Sequence, residues 1–439
     1  VTLADFVSPR GHVDASALPP GPRLPAAVQT VLFMTARTWI APRWQRRYGD
    51  VFSVHLAPAG RAVVLAKPEH IREVFAGPGS TFHAGEGNAI LGPIMGEHSV
   101  LLLDEAEHLA ARKRVMSAFH GEAMRGYGEV VERLAADQVE RWPVGRPFAV
   151  HPHMNEISLE VILRIVFGVT DERRLAEMRP MLRRLVQIGP VVFLGWLYPR
   201  LGALGPWRRY RQLKDATDAL IYAEIAARRR VSDLAGRTDV LSKLLVADPT
   251  QSDAELRDHL VTLLLAGHET TASTLAWALH DLARRPALLR RVQQAADDND
   301  ERYLEAVVKE AMRLRPVIGQ VARRLAKPVR VGGYDLPADV VVFPSILLVQ
   351  HTASIYPSPR EFRPERFLDG SPAPATWIPF GGGIRRCLGA GLAMVEAQAV
   401  LKAVLERVDI EAVGRPEWTR TRNITNVPGR GARIVSHPR

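Results

Sequence analysis

The chain has 439 residues, 47% of them hydrophobic and 24% charged, which is enough to bury a large core. Its one cysteine excludes an intramolecular disulfide and any multi-thiolate zinc or iron–sulfur site, and fits a reducing compartment. The excess of 58 Lys+Arg over 47 Asp+Glu, formally +11, favours acidic partners; without basic runs interleaved with aromatics or a zinc-finger signature, nucleic acid is not expected among them.

The opening VTLADFVSPRGHVD lacks the basic start and apolar core of a secretory signal. LPPGPRLP (18–25) completes an extended, proline-rich N-terminal segment, residues 1–25. AAVQTVLFMTARTWIA (26–41) reads as one amphipathic helix, too short and too interrupted by Arg37 to cross a bilayer. No transmembrane segment is expected, and the protein reads as soluble and cytoplasmic. Residues 51–66 form two strands around a Pro/Gly turn. Helical periodicity then covers 103–119, 125–142, 154–167, 172–188 and 208–230. A second strand pair, 329–343, turns at Gly332-Gly333. A length prior would allow two or three domains. With no repeat and no low-complexity linker, the chain reads instead as one domain, 1–439, mainly α with a small β region.

The stretch SDAELRDHLVTLLLAGHETTASTLAWALHDLARR (252–285) predicts a helix of about 50 Å. Ser252 and Glu255 have capping-box spacing, and Pro286 marks the end. Its middle is apolar on all sides and therefore buried, yet it contains Gly267, His268, Glu269, Thr270 and Thr271. A buried acid needs a partner or a function. Ala266 and Gly267 remove side-chain bulk beside it.

The lone cysteine lies in FGGGIRRCLG (380–389), ahead of a strong helical pattern at 388–408. Packing, nucleophile and metal ligand are the three roles open to it. A helix N-terminus and the neighbouring Arg385 and Arg386 stabilise a thiolate, and the glycines allow close backbone approach to something flat or anionic. Neither phosphate-binding glycine spacing is present. A thiolate on a large anionic cofactor fits best.

FGGGIRRCLG resembles the haem-binding loop of the cytochrome P450 family, F-x-x-G-x-R-x-C-x-G, at Phe380, Gly383, Arg385, Cys387 and Gly389. AGHETT (266–271) is similar to the oxygen-activation motif on that family's central helix. E-x-x-R occurs four times, starting at Glu69, Glu122, Glu310 and Glu417, and only Glu310 with Arg313 lies in order between the central helix and PERF (364–367). The likeness covers essentially the whole chain and is closest in style to actinobacterial members. It implies a triangular helical bundle around a buried haem b (iron protoporphyrin IX).

By the same resemblance the protein is a haem-thiolate monooxygenase. Cys387 is then the axial iron ligand, with Phe380 packed near the sulfur to tune it. Dioxygen binds beside Ala266 and Gly267, while Thr270, supported by Glu269 and water, delivers protons; a simple bond from Thr270 to a preceding carbonyl is the structural alternative. His108 and Arg112 resemble a propionate clamp, or an ordinary i,i+4 pair. Arg323 resembles a third propionate contact, with adjacent Arg324 the competitor. Glu310, Arg313 and Arg366 are expected to form a structural charge network. Electrons from NAD(P)H arrive through a ferredoxin with its ferredoxin reductase, or a flavodoxin, docked on a basic face at Lys113, Arg114 and Arg386. The protein is expected to be a monomer. Segments 80–96, 191–207, 315–321 and 423–429 surround an apolar small-molecule substrate of fatty-acid, steroid or terpenoid type. A peroxygenase, lyase or isomerase of the same fold, and a non-catalytic carrier of an apolar ligand, are the alternatives.

Overall fold

The computed structural model describes residues 18–57, 60–119, 123–187, 192, 204–370, 372–422 and 424–439. Of the N-terminal segment only 18–25 falls within them, and of the expected pocket wall 191–207 only Val192 and 204–207 do.

The predicted first helix is two, α1 (Ala26–Thr35) and α2 (Arg37–Tyr48), broken where Ala36 takes φ −131° and ψ 22°. Strands β1 (Val51–Leu56) and β2 (Gly60–Leu65) pair antiparallel as expected. After them come α3 (Pro68–Ala76), β3 (Phe82–His83), α4 (Ala84–Gly87) and α5 (Gly92–Met95). The helical half follows: α6 (Glu105–Ser117), α7 (Ala123–Val139), β4 (Phe148–Ala149), α8 (His151–Val161), α9 (Glu172–Val186), α10 (Gly205–Arg229) and α11 (Val240–Ala247). Helix α8 widens into one π turn over Ile162–Val166, where Phe167 N–H reaches the Ile162 carbonyl at 3.0 Å.

The long helix α12 (Asp253–Ala283) begins with the predicted capping box. Ser252 Oγ accepts from the Glu255 N–H at 3.2 Å, and Glu255 Oε2 accepts from the Ser252 N–H at 3.0 Å. Its 31 residues span about 46 Å. It packs against α8, α10, α14 (Glu301–Leu314) and α16 (Ala390–Leu405), with α13 (Pro286–Asp297) and the short α15 (Ile346–Val349) alongside. Its buried residues contribute to both large apolar clusters. Leu275, Leu279 and Leu282 join α7, α14 and α16, while Leu256, Leu260 and Leu264 join α9 and α10.

Strands β5 (Arg323–Leu325), β6 (Val329–Val331), β7 (Tyr334–Leu336) and β8 (Val341–Pro344) replace the single strand pair expected at 329–343. β6 and β7 do turn at Gly332-Gly333, but Asp339, at φ +68°, redirects the chain. β8 therefore runs parallel to β2 inside a sheet ordered β1-β2-β8-β5-β3. Near the C-terminus, β9 (Val408–Ala412) and β12 (Arg433–Pro438) join β4, and β10 (Thr419–Arg422) pairs with β11 (Thr425–Pro428). Mainly α with small sheets is the observed class. Among the described residues no helix is long and apolar enough to cross a membrane.

Candidate active site

The loop at 380–389 is closed by the Cys387 N–H donating to the Phe380 carbonyl at 2.9 Å. Its glycines have a local cause. Gly381 and Gly383 take φ +67° and +65°, in the left-handed region that favours glycine. A Cβ on Gly382 would lie 2.2 Å from the Phe75 ring, and one on Gly383 2.0 Å from the Phe75 carbonyl oxygen. The run lets the loop sit against the end of α3. Gly389, the residue before α16, faces no protein atom within 4 Å of a built Cβ. Phe380 is half-buried and meets Trp377 edge-on at 5.9 Å.

Cys387 lies at the loop's end, just ahead of α16, as the helical pattern predicts. Burial pushes its thiol pKa up, while the Gly389 N–H and the guanidinium groups of Arg386 and Arg112 pull it down. The residue is nonetheless reached by solvent. Cys387 is thus open on one side.

Helix α12 shows a second open wall. Ala266 is exposed and Gly267, Glu269 and Thr270 are half-buried, between the buried Leu264 and Thr271. Gly267 faces its neighbour: a Cβ there would come within 2.9 Å of Ile162 Cδ1, on the π turn. The side-chain gap thus lies at Ala266. The Thr270 hydroxyl donates to the Ala266 carbonyl at 2.7 Å. Glu269 is held by the hairpin β10–β11, with Oε1 3.1 Å from Arg422 Nε and Oε2 accepting from the Thr425 hydroxyl at 3.0 Å. Burial raises its pKa, and Arg422 and Thr425 oppose the rise.

The cationic residues gather as a cluster. His108 on α6 is buried, its Nδ1 has no partner, and its pKa falls to about 3 through burial and the proximity of Arg385, Arg112 and Arg323. Arg385 donates to Asp104 Oδ1 and the Leu103 carbonyl, each at 2.5 Å. Burial and Arg112 still depress its pKa to about 10. Arg323 donates to the Ala322 carbonyl at 2.8 Å, and burial with Arg385 depresses it to about 10. Arg112 is depressed as well, by burial first and by Arg386. Strand alternation takes Arg324 elsewhere, 3.8 Å from both Glu86 and Asp339. Asp104 is the cluster's one carboxylate among these contacts, and its oxygens also accept the N–H groups of Gly85 and Glu86. Positive charge is therefore in excess in a place that water reaches poorly, a costly arrangement unless an anion joins it.

The family model "Cytochrome P450" matches residues 19–430. The provisionally named cytochrome P450 135A1 of Mycobacterium tuberculosis is 48% identical over 426 residues, 95% of each chain. Cytochrome P450 135B1 of Mycobacterium bovis, also provisionally named, is 45% identical over 95% of this chain and 91% of its own. The chain belongs to the cytochrome P450 family. As a P450 it is a haem-thiolate monooxygenase, an oxidoreductase that takes electrons from a redox partner and acts on apolar substrates. A solved structure of retinoic acid bound cyanobacterial CYP120A1 superposes with a TM-score of 0.84, over 96% of this chain and 100% of that one. At 23% identity it establishes the P450 fold.

The residues present fit a haem. One reachable thiol and a surplus of buried guanidinium groups suit an iron macrocycle that carries carboxylates.

The P450's E-x-x-R pair is fully buried. Arg313 grips Glu310 with Nε and Nη2 at 2.6 and 2.8 Å and donates to the carbonyls of Gln350, Pro359 and Glu361. Arg366 Nε completes the expected network 3.4 Å from Glu310. Glu417, which begins another E-x-x-R, is also buried and accepts the backbone N–H groups of Arg430, Ala432 and Arg433. Of the three basic residues expected to meet an electron donor, Arg114 is engaged with Glu255 at 3.7 Å, while Lys113 and Arg386 are exposed. Asp104 and Glu396 escaped the sequence reading, and Arg37 was read only as an interruption of an apolar stretch, because none belongs to a local functional pattern.

Proposed function

We propose that Cys387 is the axial ligand of a haem b whose propionates are held by Arg112, Arg323, Arg385 and His108, with Phe380, Gly383 and Gly389 shaping the loop beneath it. The observation that carries this reading is the buried surplus of positive charge beside a reachable thiol. The bound haem supplies dioxygen activation. Arg385 would then divide its donors between Asp104 and a propionate, and the unpaired His108 Nδ1 would gain a partner.

Ala266 would leave room over the open wall of α12, Gly267 would let the helix sit close against Ile162 beside it, and Thr270 and Glu269 would carry protons there. Each must first change partner. The Thr270 hydroxyl has to release the Ala266 carbonyl before it donates outward, and Glu269 has to release Arg422 and Thr425 before it faces inward. Burial raises its pKa above the ordinary carboxylate value, a direction that favours its carrying a proton.

The chain would act as one domain, residues 1–439, and as a cytoplasmic monomer. The substrate would be of fatty-acid, steroid or terpenoid class, and the electron donor a ferredoxin with its reductase, or a flavodoxin, attracted to Lys113 and Arg386.

The test is the spectrum of the reduced carbon monoxide complex. Wild type is expected to show the thiolate-type band and Cys387→Ser to lose it. A variant that keeps the band would remove Cys387 from the iron.

A further inference from the structure

Another buried cation lies outside the haem cluster, and unlike Arg313 it has no carboxylate partner among the described residues. Arg37, the first residue of α2, is 7% exposed. Its Nη2 donates to Asn426 Oδ1 at 3.3 Å, its Nε is buried with no partner, and its guanidinium carbon stands 5.7 Å from the centre of the Phe33 ring. Burial alone depresses its pKa, to about 10, whereas each arginine of the haem cluster also feels a charged neighbour. Among the described residues no carboxylate pairs with it. It also stands at the positive end of a 12-residue helix, where the macrodipole disfavours a cation. A desolvated charge with no counter-ion, at the wrong end of a helix, needs an anion from elsewhere.

Its surroundings say where that anion would sit. Gly319 leaves the space the guanidinium occupies, since a Cβ there would lie 3.0 Å from Arg37 Nε. Asn426 is laced to the same segment: its N–H donates to the Val317 carbonyl at 2.7 Å and its side-chain amide to the Pro316 carbonyl at 2.9 Å. The next residue back, Thr425, bridges to Ile318 and bonds to Glu269. Arg37 thus touches both segments, 315–321 and 423–429, that the proposed function places around the substrate, through the hairpin that also holds Glu269.

We propose that Arg37, with Asn426, is the anchor for a carboxylate on the substrate, so that this P450 takes apolar acids in preference to their neutral counterparts. The inference rests on the monooxygenase reading and names its substrate class. A carboxylate suits the site better than a phosphate monoester. One guanidinium balances a single charge, Asn426 holds it in place through its side-chain oxygen, and the adjoining Phe33, Ile318 and Gly319 offer no further donor side chain.

The experiment compares palmitic, abietic and cholanic acids with their methyl esters on the purified holoenzyme. Binding is read twice, by the haem Soret shift and by equilibrium dialysis with mass-spectrometric detection. At least one acid is expected to bind roughly 10- to 100-fold more tightly than its ester, the range of a charge-assisted hydrogen bond. Arg37→Gln is expected to abolish that preference and Arg37→Lys to keep part of it, with ester affinity unchanged in both. Equal affinities of acid and ester, no binding of any acid, or a preference that survives Arg37→Gln overturns the proposal. The reduced carbon monoxide spectrum of the same samples separates this failure from a failure of the haem-thiolate reading, and Arg37→Lys decides the case if Arg37→Gln does not fold.

Discussion

Glu396→Gln is expected to make the protein more stable at pH 8. Glu396 lies on α16 with 3% exposure, and it accepts a hydrogen bond from the buried hydroxyl of Ser158 on α8. Burial pushes its pKa from 4.5 up to about 7, and Ser158 offsets only part of the rise. The folded protein therefore holds this proton more tightly than the unfolded chain. The stabilisation is full below pH 4.5 and is lost as pH rises through about 7. At 1.36 kcal/mol per pKa unit the loss is about 3 kcal/mol. Glutamine cannot ionise, and its amide oxygen can still accept from Ser158. The buried His151, His259 and His268 and the half-buried His351, with pKa values near 4, act in the opposite sense: their contribution is full above about pH 6.5 and is lost as pH falls. The wild-type-minus-variant difference cancels them. Guanidinium unfolding of the holoenzyme, followed by tryptophan fluorescence at pH 5 and pH 8, measures that difference. A variant that is less stable than wild type at pH 8, or has the same pH dependence, would refute the reasoning.

Glu310→Gln should lower stability by about 3–5 kcal/mol, because Arg313 would keep a buried charge with half its partner removed; a guanidinium midpoint within experimental scatter of wild type would contradict this. Thr270→Ala should retain the Soret response to ligands while a larger share of NAD(P)H electrons appears as peroxide, and Thr270→Ser should restore most of the coupling. Unchanged coupling in Thr270→Ala would remove this hydroxyl from proton delivery.

Features written in consecutive residues were legible in the sequence. The capping box of α12, the turn at Gly332-Gly333 and the cysteine ahead of α16 each depend on a few neighbouring side chains. Choosing Glu310 needed only its order relative to two other motifs. What was not legible depends on contacts distant in the chain. The glycines at 382 and 383 answer to Phe75, and Gly267 answers to Ile162, although composition alone suggested room for a cofactor or a ligand. Glu269 is engaged by a hairpin more than 150 residues later. Arg323 and Arg324 are indistinguishable until a strand sends them to opposite sides. Arg37 looked like an interruption in an apolar helix because its partner, Asn426, is 389 residues away.

The parallel pairing of β2 with β8, which sets Ala62 beside Val341, also bears on how the chain is made. At roughly 5–20 residues per second, β2 leaves the ribosome tens of seconds before its partner exists. Until then Val63, Val64 and Leu65, all buried in the finished protein, present an unpaired edge with no local substitute for β8 beyond β1. So distant a pairing is slow to close once both strands are present. Yield during overexpression should therefore depend on holdase chaperones that shelter this edge.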